Sequence, residues 1–137
     1  MDNVCKKKTM KSESVPLPVG PYSLGIKAGH FIFLSGQLGL DSLSNQLAEG
    51  GIEAQTRRAL ENLKTILNDA GCKLSDVVKT TVFLKDINDF ASMNKVYTEF
   101  FNQDPPARSA MQVAALPKDG MVEIEAIAFD AHDYDRD

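Results

Sequence analysis

One arginine has the sequence context of a residue that binds a small acid. Arg108 lies in the segment Pro105-Pro106-Ala107-Arg108-Ser109-Ala110, between a predicted helix and a predicted strand. Its guanidinium group is planar and permanently charged, so it can hold a carboxylate through two parallel hydrogen bonds. An arginine near the end of a strand is more often a solvated or ion-paired surface residue. The elements and motifs around Arg108 are therefore needed to choose between these two interpretations.

The first half of the chain is predicted to form a hairpin and a long helix. Residues 22–26 and 31–35 are β-prone runs, and Gly29 between them can supply a turn. Over residues 52–70, apolar residues recur at helical spacing, and Gly71 stands where a C-terminal cap belongs. The pattern is typical of a β-hairpin followed by an amphipathic helix.

The second half is predicted to form a strand, a helix and two further strands. A β-branched run indicates a strand over residues 77–84, and Asp86 or Asn88 can cap the helix that follows. Pro105 and Pro106 are predicted to end this helix. One side of the helix carries the apolar residues Phe90, Met93, Tyr97, Phe100 and Phe101.

Alternation divides each of the last two strands into two faces. In the first of them, Arg108, Ala110 and Gln112 are predicted to point one way, and Ser109, Met111 and Val113 the other. In the last strand, the predicted core face comprises Val122, Ile124, Ala126 and Ala128, and the opposite face comprises Glu123, Glu125, Ile127 and Phe129.

The order of elements predicts an α+β fold, with a mixed β-sheet and two helices packed on one face. Such a sheet leaves apolar side chains exposed on its other face, and self-association is the usual way to bury them. The length of 137 residues fits one domain. We expect this domain to span residues 15–132, with a flexible tail at residues 1–14 and a short C-terminal tail at residues 133–137.

Composition argues against several classes of protein. A net charge of -4 gives no general attraction to nucleic acid. Cys5, Cys72, His30 and His132 have neither the spacing of a disulfide framework nor that of metal ligands, so we expect no metal site. We expect no organic cofactor, because there is no glycine-rich phosphate loop and no lysine in a recognisable Schiff-base context. No apolar leader or membrane-spanning run follows Lys6-Lys7-Lys8, which favours a cytoplasmic protein.

Several motifs occur in the order and approximate spacing of one known family. They are Gly20-Pro21-Tyr22-Ser23, Leu34-Ser35-Gly36-Gln37, residues 78–86, Asn88-Asp89-Phe90, residues 105–110, residues 116–120 and residues 122–128. Together they resemble the Rid (reactive intermediate deaminase, YjgF-type) family, and the resemblance extends from about Pro18 to about Phe129. It implies chorismate-mutase-like subunits that assemble as a homotrimer, with sites in the clefts between neighbours.

The resemblance also implies a reaction and two principal residues. Family members of this kind hydrolyse 2-imino acids, such as 2-iminobutanoate and 2-iminopropanoate, to 2-oxo acids and ammonia, and so prevent metabolite damage. Arg108 would hold the substrate carboxylate, and Glu123 occupies the position of the acid that orients or deprotonates the attacking water. Glu125 shares the predicted face of Glu123, so only the resemblance selects between them. For an isolated glutamate, a hydrated surface carboxylate is the commoner arrangement.

Five further positions are assigned to the substrate site. Tyr22 is assigned as a third catalytic residue, because it can place its hydroxyl against the carboxylate or imine, although a packed ring with a solvated hydroxyl is the common alternative. Ser35 and Gly36 lie where a strand ends and the backbone can approach a ligand, the alternative being a serine that bonds its own turn. Asn94 matches a family position that faces the pocket, although an asparagine on a helix is by default solvated. Ala110 stands where many relatives carry cysteine, so no thiol is required there, and the stretch before Arg108 looks shorter than in common bacterial relatives.

Two other functions remain open at this point. Some family members are described as endoribonucleases or translation inhibitors, a role that would require an electropositive groove which the acidic composition does not indicate. The same clefts could also serve a noncatalytic trimer that binds small metabolites or proteins, because a fold and a pocket do not by themselves establish turnover.

Overall fold

A computed structural model describes residues 7–131 and shows a six-stranded sheet with two helices. The elements are β1 (Lys7–Met10), β2 (Gly25–Ala28), β3 (Phe31–Leu38), α1 (Gly51–Asp69), β4 (Val77–Leu84), α2 (Phe90–Phe100), β5 (Ala107–Gln112) and β6 (Val122–Phe129). The strand order is β1-β2-β3-β6-β4-β5, and all neighbours are antiparallel except β4 and β5, which are parallel and joined through α2. The predicted α+β class with a mixed sheet is confirmed.

The first helix packs one apolar face against the sheet. Ala59, Leu60, Leu63, Ile66 and Leu67 are at most 1% exposed, at the spacing that predicted the helix. The helix ends one residue before the predicted boundary, and Gly71 follows with the left-handed φ of 82° that a C-terminal glycine can adopt without strain. The opposing sheet surface is the predicted core face of β6, Val122, Ile124, Ala126 and Ala128, all at most 3% exposed.

Neither predicted residue caps the second helix, and the helix ends earlier than expected. Its N-cap position is Asp89, which makes no side-chain capping bond; Asp86 instead caps the preceding 3-10 turn Ile87–Asp89, where its carboxylate accepts a 2.9 Å hydrogen bond from the Asn88 amide. The helix starts at Phe90 and ends at Phe100, ahead of Pro105 and Pro106. The prolines therefore do not terminate it directly; they precede β5 instead.

The N-terminal part of the sheet differs from the prediction in its boundaries. The hairpin forms, but β2 runs through Lys27 and Ala28, so that Gly29, with φ 60°, and His30 make the turn. β1 lies within residues 1–14, which were expected to be a tail, and its residues pair with all of β2. Its sequence KKTM has no apolar alternation. The strand forms because the backbone of these residues can hydrogen-bond to the free edge of β2.

The side of the sheet away from the helices is apolar and exposed, as the predicted single helical layer requires. We call Phe31, Phe33, Met111 and Phe129 the apolar sheet face; their exposed fractions are 44%, 45%, 39% and 39%. The Phe31 ring makes an edge contact with Phe129, with centroids 5.4 Å apart. A patch of this kind is typical of a surface that another chain covers.

The histidine and cysteine pattern contains no metal cluster among the described residues. Within residues 7–131 no group of three or more His, Cys, Asp or Glu side chains is arranged to hold a metal ion. Cys72 is buried, and burial raises the pKa of its thiol to about 11. His30 stacks on Phe129, while Cys5 and His132 lie outside the described residues. In the same part of the chain, neither helix is long and apolar enough to cross a membrane.

Candidate active site

Arg108 is held by one face of α2. Its Nη1 donates a 2.6 Å hydrogen bond to Oδ1 of Asn94, and its Cζ lies 4.8 Å from the Tyr97 ring centroid and 5.4 Å from that of Phe90. Phe90, Asn94 and Tyr97 are spaced i, i+4 and i+7, so they lie on one side of the helix. Two contacts with aromatic rings and one hydrogen bond to the Asn94 side chain orient the guanidinium. Because the Asn94 bond engages Nη1, the Nε and Nη2 edge is in position to bind a carboxylate.

Ala110 lies beside Arg108 on the same face of β5. It is half-buried, and it pairs in register with Val82 on β4. A methyl group at this position adds no polar atom to the surroundings of the guanidinium. Any polar contact from residue 110 must therefore come from its backbone.

Glu123 lies on β6 and belongs to a second group of predicted residues. A cavity of about 230 Å³ is lined by Tyr22, Gly36, Lys118 and Glu123, among others. A Cβ atom added at Gly36 would lie 2.8 Å from Oε2 of Glu123, so the glycine lets the carboxyl group approach the backbone of β3. Tyr22 is 51% exposed, which leaves its ring open to a ligand or to a neighbouring chain.

Ser35 supports this second group through its side chain. Its hydroxyl donates a 2.6 Å hydrogen bond to the Ser23 carbonyl, and its amide donates a 2.9 Å bond to the Leu24 carbonyl. These bonds fasten the segment that carries Tyr22 to the middle of β3, because this strand continues to Leu38 instead of ending at Ser35 and Gly36 as predicted. Ser35 therefore fits the local bonding that was its alternative interpretation, and it can influence a ligand through the position of Tyr22.

The electrostatic surroundings favour a basic carboxylate at Glu123. Partial burial, followed by the like charge of Glu125, raises the pKa of Glu123 above its ordinary value. Glu125, two residues along β6, is exposed. The structure thus separates two glutamates that strand alternation leaves equivalent, because only Glu123 lines the cavity.

The two groups of predicted residues lie on opposite faces of the sheet. Thr80 on β4 is in register with both Arg108 and Ala126, which places Arg108 on the face that packs against the helices. Glu123 is in register with Phe83 and points the other way. The structure therefore brings together Arg108, Asn94 and Ala110, and separately Tyr22, Ser35, Gly36 and Glu123, but does not bring Arg108 to Glu123 within one subunit.

The sequence and the fold have known relatives. Residues 12–130 match the family described as endoribonuclease L-PSP. The chain belongs to that family. A 2-iminobutanoate/2-iminopropanoate deaminase of Bos taurus is 49% identical to it over 122 residues, covering 89% of each chain. A RutC family protein of Pyrococcus abyssi is 51% identical over 123 residues, covering 90% of this chain and 97% of the relative.

A solved structure of the family shows the same fold. The crystal structure of RidA from the Antarctic bacterium Psychrobacter sp. PAMC 21119 has a TM-score of 0.86 and 45% identity, over 89% of this chain and 98% of that chain. The Rid-type resemblance predicted from the motifs is thereby confirmed. The sheet and two helices described above are the family fold.

Three residues near the two groups were not predicted as site residues. Phe90 and Tyr97 were assigned only to the apolar side of α2, although an aromatic, amide, aromatic series at i, i+4 and i+7 is a usable signal. Lys118 lines the Glu123 cavity from a left-handed backbone conformation, φ 56° and ψ 22°, and its Nζ lies 3.5 Å from the Asn45 carbonyl. It falls in the segment 116–120, which contributed to the family resemblance alone.

Proposed function

We propose that the protein hydrolyses small 2-imino acids, with 2-iminobutanoate and 2-iminopropanoate as substrates, to 2-oxo acids and ammonia. The observation that carries the proposal is the orientation of Arg108 by Asn94 and two aromatic rings, which leaves one edge of its guanidinium for a carboxylate. The raised pKa of the Glu123 carboxyl group supports it. The relative from Bos taurus, which is named as such a deaminase, supports the choice of substrates. A cytoplasmic location and the absence of any cofactor requirement are part of the same proposal.

The two groups become one site if subunits associate. In the proposed homotrimer, Arg108 of one subunit faces the cavity that contains Tyr22, Gly36 and Glu123 of its neighbour. The exposed apolar sheet face supports association, because an isolated subunit would leave those rings in water. Each subunit would then contribute to two sites, one through Arg108 and one through Glu123.

The proposed reaction needs only these residues and water. Arg108 binds the carboxylate and so fixes the imine carbon in the cavity. Glu123 accepts a proton as water adds to the carbon of the protonated imine, which gives a neutral tetrahedral carbinolamine. The same carboxyl group returns that proton to the amino nitrogen, ammonia leaves as the C=O bond forms, and the hydroxyl proton passes to solvent, which gives the 2-oxo acid. Tyr22 is placed to donate to the carboxylate or imine, and the backbone at Gly36 and Ala110 lines the site.

The test is the rate of imine disappearance. An amino-acid oxidase generates the imino acid in the presence of catalase, semicarbazide traps what remains, and release of the 2-oxo acid is followed. The wild-type protein should accelerate release, and Arg108→Ala should abolish the acceleration with the oligomer intact. Arg57→Ala is the matched control, because Arg57 is an exposed arginine on α1 that pairs with Glu99 at 2.8 Å. No acceleration with several imino acids would refute the enzyme hypothesis and favour a noncatalytic binding trimer.

The family description also motivates an RNA control. The same preparations can be incubated with single-stranded RNA at low and moderate salt. Salt-dependent binding and cleavage that survive in Arg108→Ala would favour the endoribonuclease hypothesis instead. The net charge of -4 favours imine hydrolysis over RNA cleavage as the function.

A further inference from the structure

The aromatic ring beneath Arg108 is fixed from behind by a buried hydroxyl pair. The Tyr97 hydroxyl and the Thr80 hydroxyl are 2.7 Å apart, and the two residues are 6% and 0% exposed. The ring is also packed against Phe101, with centroids 4.8 Å apart. Tyr97 therefore has little freedom to rotate, and its open face is the one against which the guanidinium lies.

Thr80 is tied to Arg108 through the sheet as well. The two residues are register partners in the parallel pair β4 and β5, so their side chains leave the sheet side by side on the same face. Strand pairing thus fixes the position of the Arg108 backbone along the sheet, and the hydroxyl pair fixes the position of the Tyr97 ring against which the guanidinium lies. A buried tyrosine commonly has a hydrogen-bond partner only because an unpaired buried hydroxyl is unfavourable. This pair has a second feature: Thr80, which anchors the Tyr97 ring, is also in register with Arg108, which the ring supports.

We propose that Thr80 and Tyr97 are positioning residues for Arg108, which keep the Nε and Nη2 edge of its guanidinium in one orientation. The proposal rests on the carboxylate-anchoring role of Arg108 proposed above. Asn94 restrains rotation at Nη1, and the Tyr97 ring restrains tilt out of the guanidinium plane. Burial raises the pKa of Tyr97, so its hydroxyl stays protonated and available to the pair across the working range.

The direct readout needs no turnover. In the full-length protein, the Arg108 Nε–H signal, identified by its loss in Arg108→Lys, should be ordered on the picosecond to nanosecond timescale and shifted upfield by the ring. Tyr97→Leu should reduce both the order and the shift, since only the Asn94 hydrogen bond and the more distant Phe90 ring then remain. Phe101→Leu is the control, because Phe101 packs on Tyr97 and destabilises the same cluster when truncated, but it does not contact Arg108 in the described structure.

Binding of 2-oxobutanoate then measures the functional consequence. Tyr97→Leu should raise its Kd about tenfold. Tyr97→Phe and Thr80→Val should each raise it about threefold, and the double variant should be no worse than either single variant because both hydroxyls act as one unit. In the kinetic assay the effect should fall on KM more than on kcat, since the carboxylate anchor is used in both ground and transition states.

The outcomes separate this proposal from the function on which it rests. An Arg108 signal and a Kd that are unchanged in a natively folded Tyr97→Leu protein would overturn the positioning role. An ordered Arg108 that loosens in Tyr97→Leu, in a protein that binds no 2-oxo acid, would support the positioning role while the proposed function fails. Additive losses in the double variant would show that the two hydroxyls do not act as a pair and would also overturn the proposal.

Discussion

Two inactive variants should restore activity when their subunits are mixed. Arg108 and Glu123 lie on strands that flank β4, which separates their backbones by about 10 Å across the sheet. Their register partners on β4 are Thr80 and Phe83, which adds about 10 Å along the strands. The backbones are thus about 14 Å apart and the side chains point to opposite faces. In a 2-imino acid the imine carbon is bonded directly to the carboxylate carbon, so one substrate molecule cannot contact both residues within one subunit.

The size of the recovery follows from this arrangement. Arg108→Ala and Glu123→Gln should each lower kcat/KM by about 100-fold or more. In a randomly reassembled equimolar mixture, a site is complete only if one subunit retains Arg108 and its neighbour retains Glu123. About one quarter of the sites meet this condition, and the fraction is the same for any cyclic assembly.

The assay is the coupled imine hydrolysis after subunit exchange. The two variants are partly unfolded together in denaturant, refolded by dilution, and checked for mixed oligomers by native mass spectrometry. Recovery to about a quarter of the wild-type rate is expected. Mixed oligomers that remain as inactive as the separate variants would refute a site shared between subunits, and a single variant with full activity would remove its residue from the mechanism.

Three further predictions concern Glu123, Gly36 and the core. Because burial and then the charge of Glu125 raise the pKa of Glu123, the rate should fall as pH drops through that raised value, and Glu125→Gln should move this limb to lower pH; an unmoved limb assigns it to another group. The pH dependence of stability is opposite to that of the rate. A raised pKa in the folded state means that folding favours the protonated carboxyl group, so this contribution to stability is lost as pH rises through the raised value. Glu123→Gln should therefore raise the Tm at neutral pH. Gly36→Ala should lower the rate about tenfold or more while circular dichroism stays native, because its methyl group would lie 2.8 Å from Oε2 of Glu123; an unaffected rate would show that the carboxyl position is not critical. Leu63→Ala, at a residue 0% exposed, should reduce the free energy of unfolding by about 2–5 kcal/mol in urea titrations, and a loss below about 1 kcal/mol would contradict its place in the core.

Elements with one buried face could be predicted from the sequence. The boundaries of β4 coincide with the predicted residues 77–84, and α1 differs by one residue at each end. Their apolar residues recur with one period because one side contacts the core. β1 has no such pattern, since its residues are largely exposed and its structure depends on the neighbouring edge of β2. Pairing between distant segments is not encoded in local periodicity.

The geometry of the candidate site could not be predicted from the sequence. Alternation along β6 separates Glu123 from the core, yet the relation between Glu123 and Arg108 depends on the order β6-β4-β5 and on register across three strands. The supports of Arg108 on α2 depend equally on how that helix crosses the sheet. Phe90 and Tyr97 were therefore predicted as apolar helix residues, and only their distances from the guanidinium give them a second role.

The apolar sheet face also has a kinetic consequence for a subunit that has folded but not yet associated. Phe31 is 44% exposed and Phe33 45% exposed, so in the proposed homotrimer a newly folded subunit would expose an apolar surface until it associates. At an ordinary association rate constant, association at about 1 µM takes about 0.1–10 s. During that interval the same rings are available to any other apolar chain. The rate of synthesis in the cell, and not only the strength of the final contacts, therefore helps to decide whether the subunits meet each other first.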